Sequence, residues 1–332
     1  MADSSPDTPQ VTVVIPMRNE AAAIEACLAS VLANALPGGT FEVLVLDGES
    51  DDRSPALVDA IAARDPRLRR IANPARLQAA AFNLGLAEAR GRYLVRMDAH
   101  ARYAEDYLAE CVRLLEETGA EIVGGVQRAE GRGWVGRAIA AAVSSSFAAG
   151  DAAYRNATTP RWTDTVYLGA WRTATLRRLG GMRTDWAVNE DYEMTVRLRA
   201  AGGRVYLSPT IRSSYLVRPS LPKLARQYAR YGFWKVRTLL MHPSSLRWRQ
   251  LVAPAFVASI LLTPFFMVLF GPVGALHLAL YAAANLTASI VTASRSGWML
   301  FPFLPGAFLA IHLAWGGGFL AGCLVWPLRV HD

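Results

Sequence analysis

The sequence predicts an α/β domain with a mostly parallel sheet, followed by a C-terminal region embedded in a membrane. In the N-terminal part, short β-rich apolar runs alternate with segments of helical periodicity, which is typical of strands and crossover helices. From Leu251 onward, charged residues almost vanish and apolar runs become long enough to cross a bilayer. We therefore expect a catalytic domain at 1–220, an amphipathic region at 221–245 and a transmembrane region at 246–332.

The α/β pattern can be followed along the chain. Strands are predicted at 11–15, 41–46 and 93–97, and helices at 21–34, 55–64 and 76–89. Ligands of open parallel sheets bind at the carboxyl ends of strands, so the acidic loops that begin at Asp47 and Asp98 are candidate binding loops. The sequence contains no G-x-G-x-x-G after the first strand and no P-loop motif, which argues against a dinucleotide dehydrogenase or a P-loop enzyme.

Three apolar runs make up the C-terminal region, at 251–270, 275–293 and 298–328. The third is interrupted by Pro302, Pro305 and the glycines 316–318. The preceding segment, Leu221–Leu240, is amphipathic, with a basic stripe of Lys223, Arg226, Arg230 and Arg237. An ordinary solvated helix would also fit this pattern, but the segment leads directly into an apolar run. We therefore expect an interfacial helix.

The expected location is the cytoplasmic membrane, with several spans. The N-terminus is polar and lacks the features of a signal peptide, so the catalytic domain should face the cytoplasm. Arg247 and Arg249, just before the first apolar run, favour the same orientation. A third run that crosses fully would leave Asp332 outside, whereas a re-entrant run would leave it inside; we expect full crossing. The runs carry hardly any charge, so a channel or transporter has no obvious path.

The net charge of +8 restricts the partners. A basic balance suits nucleic acid, an anionic membrane or phosphate-bearing substrates, and the apolar C-terminal region favours the last two. No nucleic-acid partner is expected.

Acidic residues cluster at three places that suit chemistry on a nucleotide diphosphate. Asp47 ends a strand and can accept hydrogen bonds from a base or ribose, although strand-end aspartates often only form turns. Asp98 and His100 alternate in an extended segment, so both could face a metal or a diphosphate. The run Asn189–Glu193 offers a general base, unless Glu190 or Asp191 merely caps the next helix.

Seven segments in order resemble the family 2 glycosyltransferases of the GT-A fold. They are Val13–Glu20, Asp47–Asp52, Ala80–Gly85, Arg96–His100, Leu179–Met182, Asn189–Glu193 and Gln227–Tyr231, and they cover about residues 10–240. The D-A-H form and the three-part apolar tail are most similar to the glucosyltransferases of succinoglycan-type exopolysaccharide assembly. The resemblance implies a Rossmann-like GT-A catalytic domain that uses a nucleotide sugar and a divalent cation, Mn²⁺ or Mg²⁺.

The resemblance also implies roles for the residues that would bind the nucleotide. The pocket would be lined by Pro16, Arg18 and Glu20, and Asp47 would bind the uracil side. Arg76 would reach the base or the diphosphate.

At the reaction centre, the resemblance implies that Asp98 holds the ribose and the metal. His100 stands where the family's second aspartate would be, so a neutral ligand at this position leaves the metal site with one negative charge fewer. Asp191 would be the general base of a single inverting displacement, with Glu190 as the next candidate. The acceptor or a diphosphate would be covered by Gln227, Arg230 and Tyr231, the last replacing the family's usual tryptophan.

By the same resemblance, the donor is expected to be UDP-glucose and the acceptor a saccharide on a polyprenyl diphosphate. The product would be an exopolysaccharide or cell-envelope glycan, and other envelope glycan assembly proteins are conceivable partners. Another lipid or protein acceptor remains an alternative. A nucleotidyltransferase would normally have a basic, glycine-rich loop at Pro16–Glu20, which holds one arginine and no glycine. A non-catalytic scaffold should have lost a carboxylate at Asp47, Asp98 or Asp191, and all three are present.

Overall fold

The computed structural model describes residues 8–150 and 152–329. The chain divides into two compact units. The first contains the chain up to Arg128 together with Ala157–Tyr215, and the second contains Ala129–Asn156 and the chain from Leu216 onward. The sequence-based division placed Ala129–Asn156 in the catalytic domain, whereas this segment packs within the second unit. Asp332, used in the topology prediction, lies outside the described residues, as do the first seven residues.

Within residues 8–150 and 152–329, nine strands form one mixed sheet. They are β1 Val11–Met17, β2 Phe41–Asp47, β3 Leu68–Ala72, β4 Tyr93–Arg96, β5 Ala101–Tyr103, β6 Ile122–Glu130, β7 Arg161–Thr163, β8 Tyr167–Arg172 and β9 Val205–Leu216. Their order is β3-β2-β1-β4-β8-β6-β9-β5, with β7 paired to β9. Strands β3, β2, β1 and β4 pair in parallel, and β8 pairs antiparallel with β4 and β6.

In the part of the chain that the structure describes, fourteen α-helices accompany the sheet and the apolar region. In chain order, α1–α7 are Ile24–Leu32, Ser54–Ala62, Gln78–Glu88, Tyr107–Thr118, Gly133–Ser144, Ser146–Ala149 and Ala153–Asn156. The others, α8–α14, are Thr173–Leu179, Glu190–Ala200, Leu221–Met241, Arg249–Leu261, Thr263–Phe270, Leu276–Ser296 and Leu304–Arg329.

The central strands are apolar on both faces because helices cover both faces of the sheet. Along β1, Val13 and Ile15 pack into the core that includes α1 and α4. Val14, which points the other way, packs into the opposite core, formed with α3, α8 and α9. The predicted α/β fold is thus confirmed, with helices α1 to α3 in the places that the periodicity indicates.

The second unit is held together by close packing of α10 and α14. A Cβ on Gly232 of α10 would lie 2.2 Å from the backbone oxygen of Trp315, and one on Gly318 of α14 would lie 2.1 Å from that of Ala229. The glycines therefore do not interrupt the third apolar run, contrary to the expectation from the sequence. They allow two helix backbones to approach, as small residues do between membrane helices.

Among the described residues, two helical stretches are long and apolar enough to cross a membrane, Thr263–Ser296 and Trp298–Leu328. The sequence predicts three such segments, and the structure differs at the first of them, 251–270, because this run is broken. Its first part, α11, has only 13 residues. The break has a physical reason, since Pro264 lacks the N–H that would continue the helix and instead occupies the first turn of α12.

Two alanine substitutions on α14 test the packing of α10 against α14. We expect Gly318→Ala to lower the unfolding free energy by about 1–3 kcal/mol, because the new methyl group overlaps the α10 backbone. Gly317→Ala is the matched control: nothing lies within 4 Å of its Cβ position, so it should be neutral or stabilising by up to about 1 kcal/mol. Thermal unfolding in detergent measures both, and equal effects of the two substitutions would contradict the packing.

Candidate active site

The loops that follow β1 and β2 are joined by hydrogen bonds around Asp47. Asp47 is the last residue of β2, and its Oδ1 accepts hydrogen bonds from the backbone N–H of Ser50 at 3.1 Å and from the Ser50 hydroxyl at 2.7 Å. Asn19, in the left-handed region with φ of 57°, donates its N–H to the Ser50 hydroxyl at 2.9 Å. The predicted nucleotide residues at 16–20 and Asp47 are therefore brought together at one edge of the sheet.

Two further predicted residues lie beside these loops. The Glu20 carboxylate is 3.1 Å from Nδ1 of His100, which joins a predicted nucleotide residue to a predicted metal ligand. Arg76 forms an exposed ion pair with Glu49 of the loop after β2. Pro16 is half-buried and Arg18 is exposed.

The segment Asp98–His100 is a turn rather than an extended strand. Strand β4 ends at Arg96, and the Ala101 N–H donates to the Asp98 carbonyl at 3.1 Å. The expected alternation of Asp98 and His100 along a strand therefore does not apply. Tyr103 of β5 stabilises the turn, because its hydroxyl accepts a hydrogen bond from the Asp98 N–H at 2.6 Å. The Asp98 carboxylate accepts a hydrogen bond from the Tyr167 hydroxyl at 3.4 Å.

Arg96 is surrounded by three carboxylates, and sequence reasoning gave it no role. It is 6% exposed, and its guanidinium lies 3.6 Å from carboxylate oxygens of Asp98, Glu190 and Asp191 alike. Among the described residues, its Nε and Nη1 have no hydrogen-bond partner. A charged residue inside the apolar run Tyr93–Met97 was the available signal, since buried charges need partners.

The two acidic residues at the start of α9 differ in exposure. The Asp191 side chain is 47% exposed, whereas the Glu190 side chain is 6% exposed. Both lie in the first turn of α9, where the helix N-terminus favours negative charge. Because both side chains also contact Arg96, stabilisation of the helix end does not by itself explain why they are acidic.

Electrostatics within this cluster shift two pKa values. Burial and the neighbouring charge of Asp191 raise the pKa of Glu190 to about 7, although Arg96 opposes the shift. Burial alone would lower the pKa of Arg96, but Asp98, Asp191 and Glu190 hold it above its ordinary value. The guanidinium therefore remains charged within the site.

Glu193, the remaining carboxylate of the run, has a structural role. It is fully buried, and both its oxygens accept from Nε of Arg197, at 2.9 and 3.0 Å. Arg197 in turn donates to the carbonyls of Leu179 and Gly181 at 2.6 and 2.7 Å. Asn83 of α3 binds the same turn through both backbone polar groups of Met182. These bonds fix the turn that precedes α9 and so the start of the acidic run.

Gln227, Arg230 and Tyr231 belong to α10 of the second unit. The Gln227 amide donates to the Tyr231 hydroxyl at 2.8 Å, and Arg230 is exposed. Their role at an acceptor or diphosphate stays a prediction.

Comparison with known proteins decides the family. The model described as "Glycosyl transferase family 2" matches residues 12–177. This chain belongs to glycosyl transferase family 2. It is 32% identical over 328 residues to the "Succinoglycan biosynthesis protein ExoA" of Rhizobium meliloti, with 96% of each chain covered. The protein is therefore a glycosyltransferase that acts in glycan synthesis.

More distant relatives of this family 2 glycosyltransferase are also glycosyltransferases by name or share its fold. A Methanococcus voltae enzyme named as a dolichyl N-acetyl-α-D-glucosaminyl phosphate glucuronosyltransferase is 26% identical over 230 residues, covering 67% of this chain and 71% of its own. The mannosyltransferase PcManGT from Pyrobaculum calidifontis superposes with a TM-score of 0.60 at 23% identity, covering 94% of this chain and 89% of that one. TarS of S. aureus superposes with a TM-score of 0.52 at 15% identity, covering 95% and 91%. These superpositions confirm the GT-A fold.

The raised pKa of Glu190 predicts a pH-dependent stability. Because the folded state holds this proton more tightly than an ordinary carboxyl with a pKa of 4.5, the stabilisation is present below that value and is lost as the pH rises through about 7. Glu190→Gln should remove this loss, so the unfolding free energy of the variant should fall less between about pH 5 and about pH 8 than that of the wild type. Exposed Glu105→Gln is the control. Parallel pH profiles for wild type and Glu190→Gln, without nucleotide or added metal, would contradict the assignment.

Proposed function

We propose that this glycosyltransferase transfers glucose from UDP-glucose, with inversion, to a saccharide carried on a polyprenyl diphosphate at the cytoplasmic face of a membrane. One observation carries the proposal: Asp98, Glu190 and Asp191 converge on Arg96 where β4 ends and α9 begins. In a parallel α/β sheet, this edge is where ligands bind. The name of the Rhizobium meliloti relative, a succinoglycan biosynthesis protein, supports a role in exopolysaccharide synthesis.

The nucleotide would occupy the joined loops after β1 and β2. Their hydrogen bonds hold Asp47 and the segment 16–20 together, so a uracil or ribose would meet a preformed pocket. Arg76 and Arg18 would supply positive charge near the diphosphate. The likeness to TarS, solved with UDP, and to PcManGT, solved with GDP-Man, supports a nucleotide diphosphate sugar as donor.

A divalent cation fits this donor set. Among the described residues, no group of three or more His, Cys, Asp or Glu side chains could hold a metal by itself. That agrees with an ion bound by one or two protein ligands and completed by substrate phosphates, as is usual for Mg²⁺. Asp98 and His100 would hold it, and the ion would neutralise charge on the departing nucleoside diphosphate. PcManGT was solved with Mn²⁺ in addition to GDP-Man, which supports a cation at this site.

Asp191 is the better general base because the acceptor can reach it. Its side chain is half exposed, whereas that of Glu190 is buried. The acceptor oxygen would form a bond to the anomeric carbon while the bond to the nucleoside diphosphate breaks, and Asp191 would take the hydroxyl proton. One displacement at one carbon inverts its configuration.

The second unit supports a lipid-linked acceptor. It contains two candidate membrane spans, and α10 exposes Lys223, Arg226 and Arg230. Arginine binds phosphate bidentately, which suits a diphosphate headgroup. The name of the Methanococcus voltae relative, which includes a dolichyl phosphate, supports a polyprenyl carrier over another lipid or a protein.

The first test replaces the proposed base. Asp191→Asn should lower kcat by about 10²–10⁴-fold, the range for lost general-base catalysis, and leave UDP binding unchanged. Asp185→Asn, an exposed aspartate in the loop before α9, is the matched control and should keep near-normal kcat. Product formation from candidate nucleotide sugars is measured, and NMR gives the anomeric configuration. Near-normal turnover of Asp191→Asn, or a retained configuration, would refute the mechanism.

The second test concerns the acceptor. Arg226→Ala and Arg230→Ala should each lower transfer to a polyprenyl diphosphate saccharide by about tenfold, because a charge-assisted phosphate contact is lost. Hydrolysis of the nucleotide sugar without acceptor should not change. Arg64→Ala, an exposed arginine in the first unit, is the control. Equal activity of the wild type on the free saccharide and on the lipid-linked form would refute a lipid-linked acceptor.

A further inference from the structure

We propose that Arg96 is a positioning residue that holds the donor-binding carboxylate Asp98 and the base Asp191 in one fixed arrangement. The inference rests on the function proposed above for Asp98 and Asp191. It concerns the first residue of the segment Arg96–His100, at the end of β4, to which the motif pattern gives no role.

The direction of the Arg96 side chain follows from strand alternation. Leu94 of β4 packs into the core formed with α3, α8 and α9, whereas Tyr93 and Val95 pack into the opposite core. Arg96 is two residues beyond Leu94 and therefore points towards the α9 side of the sheet. At this register, the Arg96 guanidinium contacts both the first turn of α9 and the turn after β4.

The three contacts of Arg96 connect two parts of the site. Nη2 lies 3.6 Å from Asp98, and Nη1 lies 3.6 Å from both Glu190 and Asp191. Within residues 8–150 and 152–329, each of these carboxylates has Arg96 as its only ion-pair partner. Without the guanidinium, three acidic side chains would face one another with no positive charge between them, which would disfavour their present arrangement.

The guanidinium is not already committed to structural hydrogen bonds. At 3.6 Å, each contact is longer than an N–H···O hydrogen bond, and among the described residues Nε and Nη1 donate to nothing. A buried donor without a partner is unfavourable, and such contacts in ligand-free active sites tighten when substrate binds. By contrast, Arg197 of α9 donates at 2.6–3.0 Å to Glu193, Leu179 and Gly181. Arg197 is a structural arginine, and Arg96 differs from it in every contact.

Arg96 would therefore act through the carboxylates and touch no reacting atom. Its charge would hold the Asp191 carboxylate in place while Asp98 engages the nucleotide end. Its fork lets one side chain serve both, which the single ammonium of lysine does less well.

A double-mutant cycle in the full-length protein tests this role. Arg96→Met should lower kcat by about 10²-fold and Arg96→Lys by about 10-fold, since the lysine keeps the charge and loses the fork. If Arg96 acts through Asp191, Arg96→Met/Asp191→Asn should lose no more than Asp191→Asn alone, within about threefold. Arg172→Met is the control. Arg172 lies in the same β4–β8 ladder and donates to the Leu115 carbonyl at 2.9 Å, so its loss should lower stability and not kcat.

The outcomes separate this inference from the proposed function. Losses that multiply in the double variant, or an Arg96→Lys enzyme with the kcat of the wild type, would overturn the role of Arg96. Should Arg96→Met fail to fold, Arg96→Lys carries the same cycle; unfolding of both variants in the presence of UDP would make Arg96 structural and overturn the proposal. Near-normal kcat of Asp191→Asn would instead refute the base. In that case, a tenfold lower kcat of Arg96→Lys would still support a positioning role for Arg96, and an unchanged kcat would overturn that role.

Discussion

The proposed reaction centre depends on one interaction, that of the buried Arg96 guanidinium with carboxylates at the end of β4 and the start of α9. Three carboxylates lie at the same distance from it, and together they carry more negative charge than one arginine balances. Such a site is electrostatically incomplete in the protein alone, as the raised pKa of Glu190 indicates. A divalent ion that arrives with a nucleotide diphosphate would bring positive charge to it. The excess of negative charge therefore favours binding of a positively charged group, at the expense of the free energy of unfolding.

The remaining parts of the first unit hold this arrangement in place. Tyr103 supports the turn at Asp98 from within the sheet, and Glu193 with Arg197 fixes the glycine turn before α9. Tyr103 and Glu193 are buried, and both supports make hydrogen bonds of 2.6–3.2 Å, whereas the contacts of Arg96 with its carboxylates are 3.6 Å long. The supporting residues are thus held by hydrogen bonds, whereas the polar contacts within the Arg96 cluster are longer. This difference is usual between structural and functional polar groups.

Sequence reasoning reached the fold because the parallel half of the sheet is regular. Buried strands such as β1 and β2 are continuous apolar runs, and the helices between them have clear periodicity. The antiparallel strands β5–β9 were not predicted. Strands β5 and β7 have only 3 residues each, and the longer β6 and β9 combine buried and exposed positions without a clear pattern. The break at Pro264 was missed because hydropathy alone does not register a lost N–H.

The acidic residues of the site were predictable from their positions at strand and helix ends, and their partner was not. In the sequence, Arg96 is only one residue of a motif. Its contacts with Glu190 and Asp191 are visible only in the structure, because partners separated by about a hundred residues meet through the fold of the sheet. Likewise, Glu193 appeared as one more candidate carboxylate, and only its bond to Arg197 shows it to be structural. Long-range ion pairs are set by tertiary packing, which a single sequence does not contain.

The most direct measurement is an experimental structure of the full-length protein with a non-hydrolysable UDP-glucose analogue and Mn²⁺. We expect the uridine at the joined loops of Asp47 and residues 16–20, with the diphosphate at Asp98. We also expect Arg96 to move from 3.6 Å to hydrogen-bonding distance of at least one carboxylate of the cluster. A nucleotide bound elsewhere, or an Arg96 whose contacts do not change, would contradict the proposed reaction centre.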